Sequence, residues 1–257
     1  MNKRHFFIIF ILIFFYSCKK PANLSKVEKY FDNKLNKEKL SKKFEDDSEN
    51  GYIKIGNFLS SDKRNAIVIS FDSITSLKIY ELKNNEWEKI YQQNNVNFAR
   101  FNTIETFVQD YNFDGIKDIG IKNQISNGTT IMTFHLWLSE GNSFKHIPEF
   151  ENIGNPRIVE KVKIIQGFEA CCLFSEITLC DYLWNKDKLI KIRQLDISNY
   201  PSGTGIEATL KNLKDKTERK IKPTKDEISE IINKYTENWK LNDTTANRRL
   251  SKFQILK

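Results

Sequence analysis

The sequence predicts an all-β protein, propeller-like or an incomplete propeller of meander repeats, with a C-terminal helix and room for an N-terminal one. Three observations carry this expectation. From Gly51 onward, short runs of β-branched and aromatic residues alternate with Asn, Asp and Gly turns. The runs repeat: residues 67–69, 77–82 and 87–90 form one three-strand meander, and 119–121, 133–138 and 144–147 form a second, with Trp87 and Phe144 in the same place. A third, shorter copy follows at 161–165, 178–184 and 189–192. Three copies are too few to close a standard propeller of about four or more blades, so an open array or another layered β fold is expected. Consecutive hairpins of a sandwich are the alternative.

Taken in order, the elements begin with Lys3 and Arg4 ahead of an apolar run at 6–16 that stops at Ser17-Cys18. The run is too short to cross roughly 30 Å of hydrocarbon, which takes about 20 residues, and reads as a signal peptide over 1–17. A small residue before Cys18, with Lys19-Lys20-Pro21 after it, looks like the lipobox of a bacterial lipoprotein. Cys18 would then be lipidated and become the first residue, although Phe15 and Tyr16 are bulkier than usual there; a plain secretory signal is the alternative. Residues 18–50 are rich in Lys, Glu, Asp and Asn, with apolar positions at Val27, Tyr30, Phe31, Leu35, Leu40 and Phe44. They read as a lipid-anchored tether, partly helical, either docked or solvated. The repeat domain is expected over 51–213, ending in a strand from Ile206. In the last segment, 214–257, Thr224 and Glu227 form a capping box, and Ile228, Ile231, Ile232, Tyr235 and Trp239 give a stripe suited to packing on the sheet.

Charge narrows the function. The formal net charge is +8. Cleavage after Ser17 removes Lys3 and Arg4 and leaves about +6, spread without an Arg-rich or aromatic-interleaved patch, so nucleic acid is not expected as a partner. Hydrophobic content of 39% with 12% aromatics indicates a folded chain.

The most specific motif runs from Asp110 to Asp118. Oxygen-bearing side chains stand at positions 1, 3, 5 and 9 of a loop whose sixth residue is Gly115. Ca²⁺ takes six to eight oxygens at about 2.3–2.6 Å, and a glycine lets the backbone turn sharply enough for alternate residues to point inward. Asp110, Asn112, Asp114 and Asp118 would supply side-chain oxygens and Ile116 its carbonyl. The glutamate of an EF-hand is missing at position 12, and a metal-free Asx turn is the alternative. The corresponding loop of the first copy carries Asn57, Leu59, Ser61 and Asn65, and that of the third has no acids at these places.

Other constellations point away from catalysis. His5 lies in the signal, and His135 and His146 have no ligand spacing; His135 alternates with apolar neighbours and is expected on a strand surface. No nucleophile elbow, phosphate loop or dinucleotide fingerprint occurs, so the chain is expected not to be an enzyme. Beyond Cys18, the cysteines are Cys171, Cys172 and Cys180. In an oxidising compartment one of the adjacent pair is expected to bridge to Cys180, with three buried thiols as the alternative.

The loop at 110–118 followed by Ile119-Gly120-Ile121 resembles the calcium loop of FG-GAP and VCBS-type repeats. More narrowly, the order of lipobox, tether, calcium loop, aromatic hairpin and Tyr182-Leu183-Trp184-Asn185 hairpin is similar to a family of propeller-like bacterial envelope lipoproteins, some of them immunity proteins that inhibit peptidoglycan hydrolases of rival cells. The likeness covers 51–195, and the nine-residue loop is its specific part. It implies Ca²⁺ at Asp110, Asn112, Asp114, Ile116 and Asp118, membrane attachment through Cys18 at the outer membrane facing the periplasm, and a protein partner such as a peptidoglycan hydrolase. A loop such as 200–205 would enter that partner's cleft. A structural or assembly lipoprotein that binds glycan or another protein is the alternative.

Overall fold

A computed structural model describes residues 24–98, 103–125, 132–171, 175–198 and 205–236, without the side chains of 124–125, 171 and 234–236. Fifteen strands among them form three antiparallel sheets, each a meander. The first sheet contains β1 (Phe44–Ser48), β2 (Gly51–Gly56), β3 (Asn65–Phe71), β4 (Thr75–Lys83) and β5 (Glu86–Asn94). The second contains β6 (Thr106–Gln109), β7 (Asp118–Ile125), β8 (Met132–Glu140) and β9 (Ser143–His146). The third contains β10 (Arg157–Val159), β11 (Ile164–Cys171), β12 (Glu176–Asn185), β13 (Lys188–Ser198), β14 (Glu207–Asn212) and β15 (Thr217–Ile221). Each sequence repeat supplies the core of one sheet. Leu82 faces Trp87, Ser139 faces Phe144 and Trp184 faces Leu189 at the same register position in the three hairpins.

Period-two alternation decides which sheet touches which, because neighbouring side chains on a strand leave by opposite faces. In β2 to β4, Tyr52, Ile67, Ile69, Leu77 and Ile79 pack with Ile119, Ile121 and Trp137 of the second sheet. The opposite set, Phe134, Leu136 and Leu138, packs with Ile165, Cys180 and Tyr182 of the third. The sheets therefore stack as successive layers, and three of them leave two outer faces uncovered. Helices close both. α1 (Lys26–Lys37) buries Phe31 and Leu35, one turn apart, against Ile53, Ile55, Ala66 and Val68. Full burial of each such side chain is worth about 1.5–3 kcal/mol. α2 (Lys225–Thr236) buries Ile228 against Phe168, Ala170, Ile177, Leu179 and Ile197.

Local chemistry starts both helices. Ser25 and Glu28 form a capping box at α1. At α2, the Thr224 amide donates to Glu227 at 2.7 Å and the Glu227 amide to the Thr224 hydroxyl at 3.3 Å. Trp239 lies outside the described residues and the Tyr235 side chain is not described. Residues 26–48 are bound into the first layer: Tyr30 donates to Asp46 at 2.7 Å, Lys78 pairs with Glu28 at 3.0 Å, and the Trp87 indole donates to the Leu35 carbonyl at 2.9 Å. The sheets run from Phe44 to Ile221, wider than the 51–213 expected from sequence. No helix among the described residues is long and apolar enough to cross a membrane.

Candidate functional site

The loop between β6 and β7 holds all five expected ligands. Phe113 and Gly115 have positive φ, 64° and 90°, and the second is the conformation for which position six needs glycine. The loop's own amides meet its side chains. Asp110 accepts from the amides of Asp114 at 3.1 Å and Gly115 at 2.8 Å, and Asp114 accepts from Ile116 at 2.7 Å. The Asn112 carboxamide accepts from the Asp114 amide at 3.2 Å and donates to its carboxylate at 2.8 Å. Ile116 is half exposed.

Asp118 differs from the other acids because it is fully buried. Its two oxygens accept from the amides of Tyr111 at 2.8 Å and Ser139 at 2.9 Å, tying the loop to the end of β8. Burial pushes its carboxyl up to about 7, the two amides oppose the shift, and Asp114 and Asp110 add to it. Tyr111 anchors the loop's other side: its carbonyl accepts from the Trp184 indole of the third sheet at 2.7 Å, and its ring crosses Gly120 so closely that a Cβ there would lie 2.3 Å from the phenol oxygen.

As a test of fit to a cation, the loop presents three carboxylates, and no ion pair among the described residues reaches any of them. The three do not come together as closely as the histidine cluster below. The charge and the glycine turn suit Ca²⁺, but the carboxylates accept from backbone amides and do not converge on one point, so half-buried Asp110 and exposed Asp114 would have to reorient to close a cage. In the first copy, Asn65 takes the place of Asp118 and is also buried, but its carbonyl oxygen has no partner among the described residues.

A second constellation was missed by the sequence reading. His135, His146 and Glu151 each bring a potential ligand atom within 4.8 Å of the others. His135 is not on a strand surface: it is 2% exposed, because β8 lies between two other sheets and both its faces are interior. Its Nδ1 is 2.8 Å from Glu151 Oε1 and its Nε2 is 3.0 Å from the Asn97 carbonyl. His146 Nε2 lies 2.9 Å from the same Glu151 oxygen. Burial lowers the pKa of His146, Glu151 opposes that, and His135 adds to it.

Glu151 arrives on a 3-10 turn, Pro148–Asn152. Ile147, Phe150 and Ile153, spaced by three as that turn requires, are buried between the second and third sheets. A spacing of eleven and then five residues matches no ligand motif. No sequence signal settled it: the face carrying His135 also carries Thr133 and Trp137 and is mixed, so whether it meets water or another sheet is decided by packing.

The expected bridge to Cys180 is not made by Cys171. Cys180 is free and buried, and it faces Gly167, while Cys171 faces Glu176 four positions further along. Four residues of strand span about 13 Å, beyond the roughly 7 Å Cα separation that a disulfide tolerates. Cys172, Cys18 and residues 199–204 lie outside the described residues.

No family model matches the chain, and no curated protein matches it. Among solved structures it is similar to one described as a "Xanthomonas Type IV Secretion System related protein", at 8% identity and a TM-score of 0.42, over 72% of this chain and 95% of that one. At that identity and score neither fold nor function is carried from one protein to the other.

Proposed function

We propose that this chain is a lipid-anchored binding module of the bacterial envelope, attached through Cys18 at the outer membrane and facing the periplasm. In this reading it is a binder and not an enzyme, its second sheet is fastened by Ca²⁺ in the 110–118 loop, and its protein partner is a peptidoglycan hydrolase, the class that the sequence resemblance implies. The observation that supports the calcium part is the loop itself: a glycine at φ 90°, three acids without a paired cation, and a buried Asp118 joining the loop to β8. A cation there would offset the mutual repulsion of Asp110, Asp114 and Asp118 and lock the start of β7. The ion would be structural, with recognition left to exposed loops.

Calcium titration by calorimetry of the full chain, stripped of metal in detergent, tests this reading. One-site heat and a higher melting temperature are expected, and Asp114→Ala should abolish both; absence of heat would reduce the loop to an Asx turn. The partner is tested by capture from envelope and secreted extracts. A stoichiometric hydrolase whose activity falls on binding is expected, whereas capture of glycan or a scaffold protein alone would overturn the inhibitor role.

A further inference from the structure

Hydrogen-bond complementarity at His135, His146 and Glu151 fails unless an additional proton or a metal ion sits among them. Nε2 of His135 faces the Asn97 carbonyl at 3.0 Å, which can only accept, so this nitrogen carries a proton. A neutral His135 then turns the Nδ1 lone pair toward a Glu151 oxygen 2.8 Å away, lone pair against lone pair. His146 Nε2, 2.9 Å from that same oxygen, finds no hydrogen-bond partner among the described residues: the two atoms are close but not aimed at each other. Near neighbours that aim past one another are what ligands of a shared ion look like. Four tetrahedral ligands about 2.1 Å from zinc stand about 3.4 Å apart, so both contacts to Glu151 would lengthen by roughly half an ångström on binding, and the two ring nitrogens, which lie within 4.8 Å of each other, would adjust to the same spacing.

We propose that His135 Nδ1, His146 Nε2 and Glu151 Oε1 bind a divalent transition-metal ion of the zinc class. The donor set selects the ion. Two imidazoles and one carboxylate suit Zn²⁺, whereas the all-oxygen loop at 110–118 suits Ca²⁺, so the second sheet offers two chemically distinct sites.

The surroundings hold the rings as a metal site needs. The Asn97 carbonyl takes the outer N–H of His135, as a backbone carbonyl commonly does for a ligating histidine. The Phe98 ring meets His135 edge-on at 5.0 Å, and Trp137 stacks on His146 at 5.0 Å and 28°. Gln93 is oriented by Trp137 and Tyr91, which donate to its carbonyl oxygen at 2.8 and 3.0 Å, so its NH₂ faces His146 Nδ1 at 3.4 Å. Ligation through Nε2 moves the His146 proton to Nδ1, sets that N–H against the Gln93 NH₂ and so requires the Gln93 side chain to shift, a cost that His135 does not carry. The His146 and Glu151 side chains are 19% and 30% exposed, but His146 Nε2 itself is buried, so an ion enters only if the Glu151 carboxylate moves aside, and water can then complete the coordination from that side.

The full chain, stripped of metal in detergent, is titrated with Zn²⁺ and separately with Co²⁺. One equivalent of either ion should bind, with Co²⁺ giving the visible bands of a four-coordinate centre. His146→Ala and Glu151→Gln, both at partly exposed positions, should each weaken binding by at least about tenfold while melting remains cooperative. Asp114→Ala should leave Zn²⁺ binding unchanged, which separates this site from the calcium loop. Absence of saturable binding, or binding indifferent to His146→Ala, would overturn the assignment. Ring resonances of His135 and His146 that move with pH but ignore Zn²⁺ would overturn it too, and would make the cluster a proton-sharing group.

Discussion

The first and second sheets begin from one meander and part at a single register position. In the first, pairing of β4 with β5 continues past a bulge at Ile79/Tyr80 as far as Ser76 and Asn94. The third sheet bulges at the equivalent place, Asp181/Tyr182, and also continues. In the second sheet the ladder stops there, at Trp137 and His146. Pro148 follows two residues later; without an N–H to donate it cannot extend a ladder, and the chain enters the 3-10 turn instead. His146 thus stands where the other two hairpins carry Lys89 and Lys191. The comparison teaches that a site can arise by shortening a repeated strand: the freed edge of β8 receives Glu151 and leaves His135 and His146 facing it.

The lead-in loops differ in the same direction. Asp118 and Asn65 are both buried first residues of the strand that opens their sequence repeats, β7 and β3, but only Asp118 has its oxygens occupied by backbone amides. The second sheet has turned a buried polar position into a hub, whereas in the first the Asn65 carbonyl oxygen has no partner among the described residues.

The most damaging change should be Phe150→Ala, which removes the fully buried anchor of the 3-10 turn. A loss of about 3–5 kcal/mol is expected, a melting point lower by about 10 °C or more, with altered ring resonances for His135 and His146. Unchanged rings would mean that the turn is not what holds Glu151 in place. Next comes the paired test of the hubs. Asp118→Ala strands two amides and should lose about 2 kcal/mol after relief of its own burial, whereas Asn65→Ala should lose less than about 1 kcal/mol. Equal losses in denaturant melts would erase the distinction between the two loops.

The smallest effect concerns pH. α1 covers the first sheet through Glu28, held below its usual range by its bond to Lys78, and Asp46, held down by Tyr30 and Lys34. Carboxyls with depressed folded values bind fewer protons in the folded state at those pH values. Their stabilisation is therefore complete above the model-peptide range of about 4 and is lost as pH falls through the folded values. Hydrogen exchange at about pH 3 should rise first in β2 and β3, beneath α1, while β7 and β8 between their neighbours stay protected. Simultaneous opening of both sheets would show that α1 is not separately fastened.

Much of the architecture was legible because it is written in short-range signals. β-branched runs, Asn and Gly turns and a repeated hairpin place the three meanders, and Thr224 with Glu227 starts α2 where the capping box says it should. The loop at 110–118 was legible as a unit because glycine and alternate Asx residues act within nine positions. The surroundings of the cysteines and histidines were not. Cys180 looked close to Cys171 along the chain, but the register sets them four residues apart. His135 looked like a surface residue because alternation tells which side chains share a face, not whether that face meets water or another sheet.

Local sequence was thus sufficient for strands, turns, helix starts and the conformation of one loop, since each depends on residues within a turn or a hairpin of one another. Tertiary packing alone chose the stacking order of the sheets, the burial of Asp118 and the meeting of His135, His146 and Glu151. Those outcomes depend on which faces cover each other and where a strand is cut short, and both are settled by contacts between residues far apart in the chain.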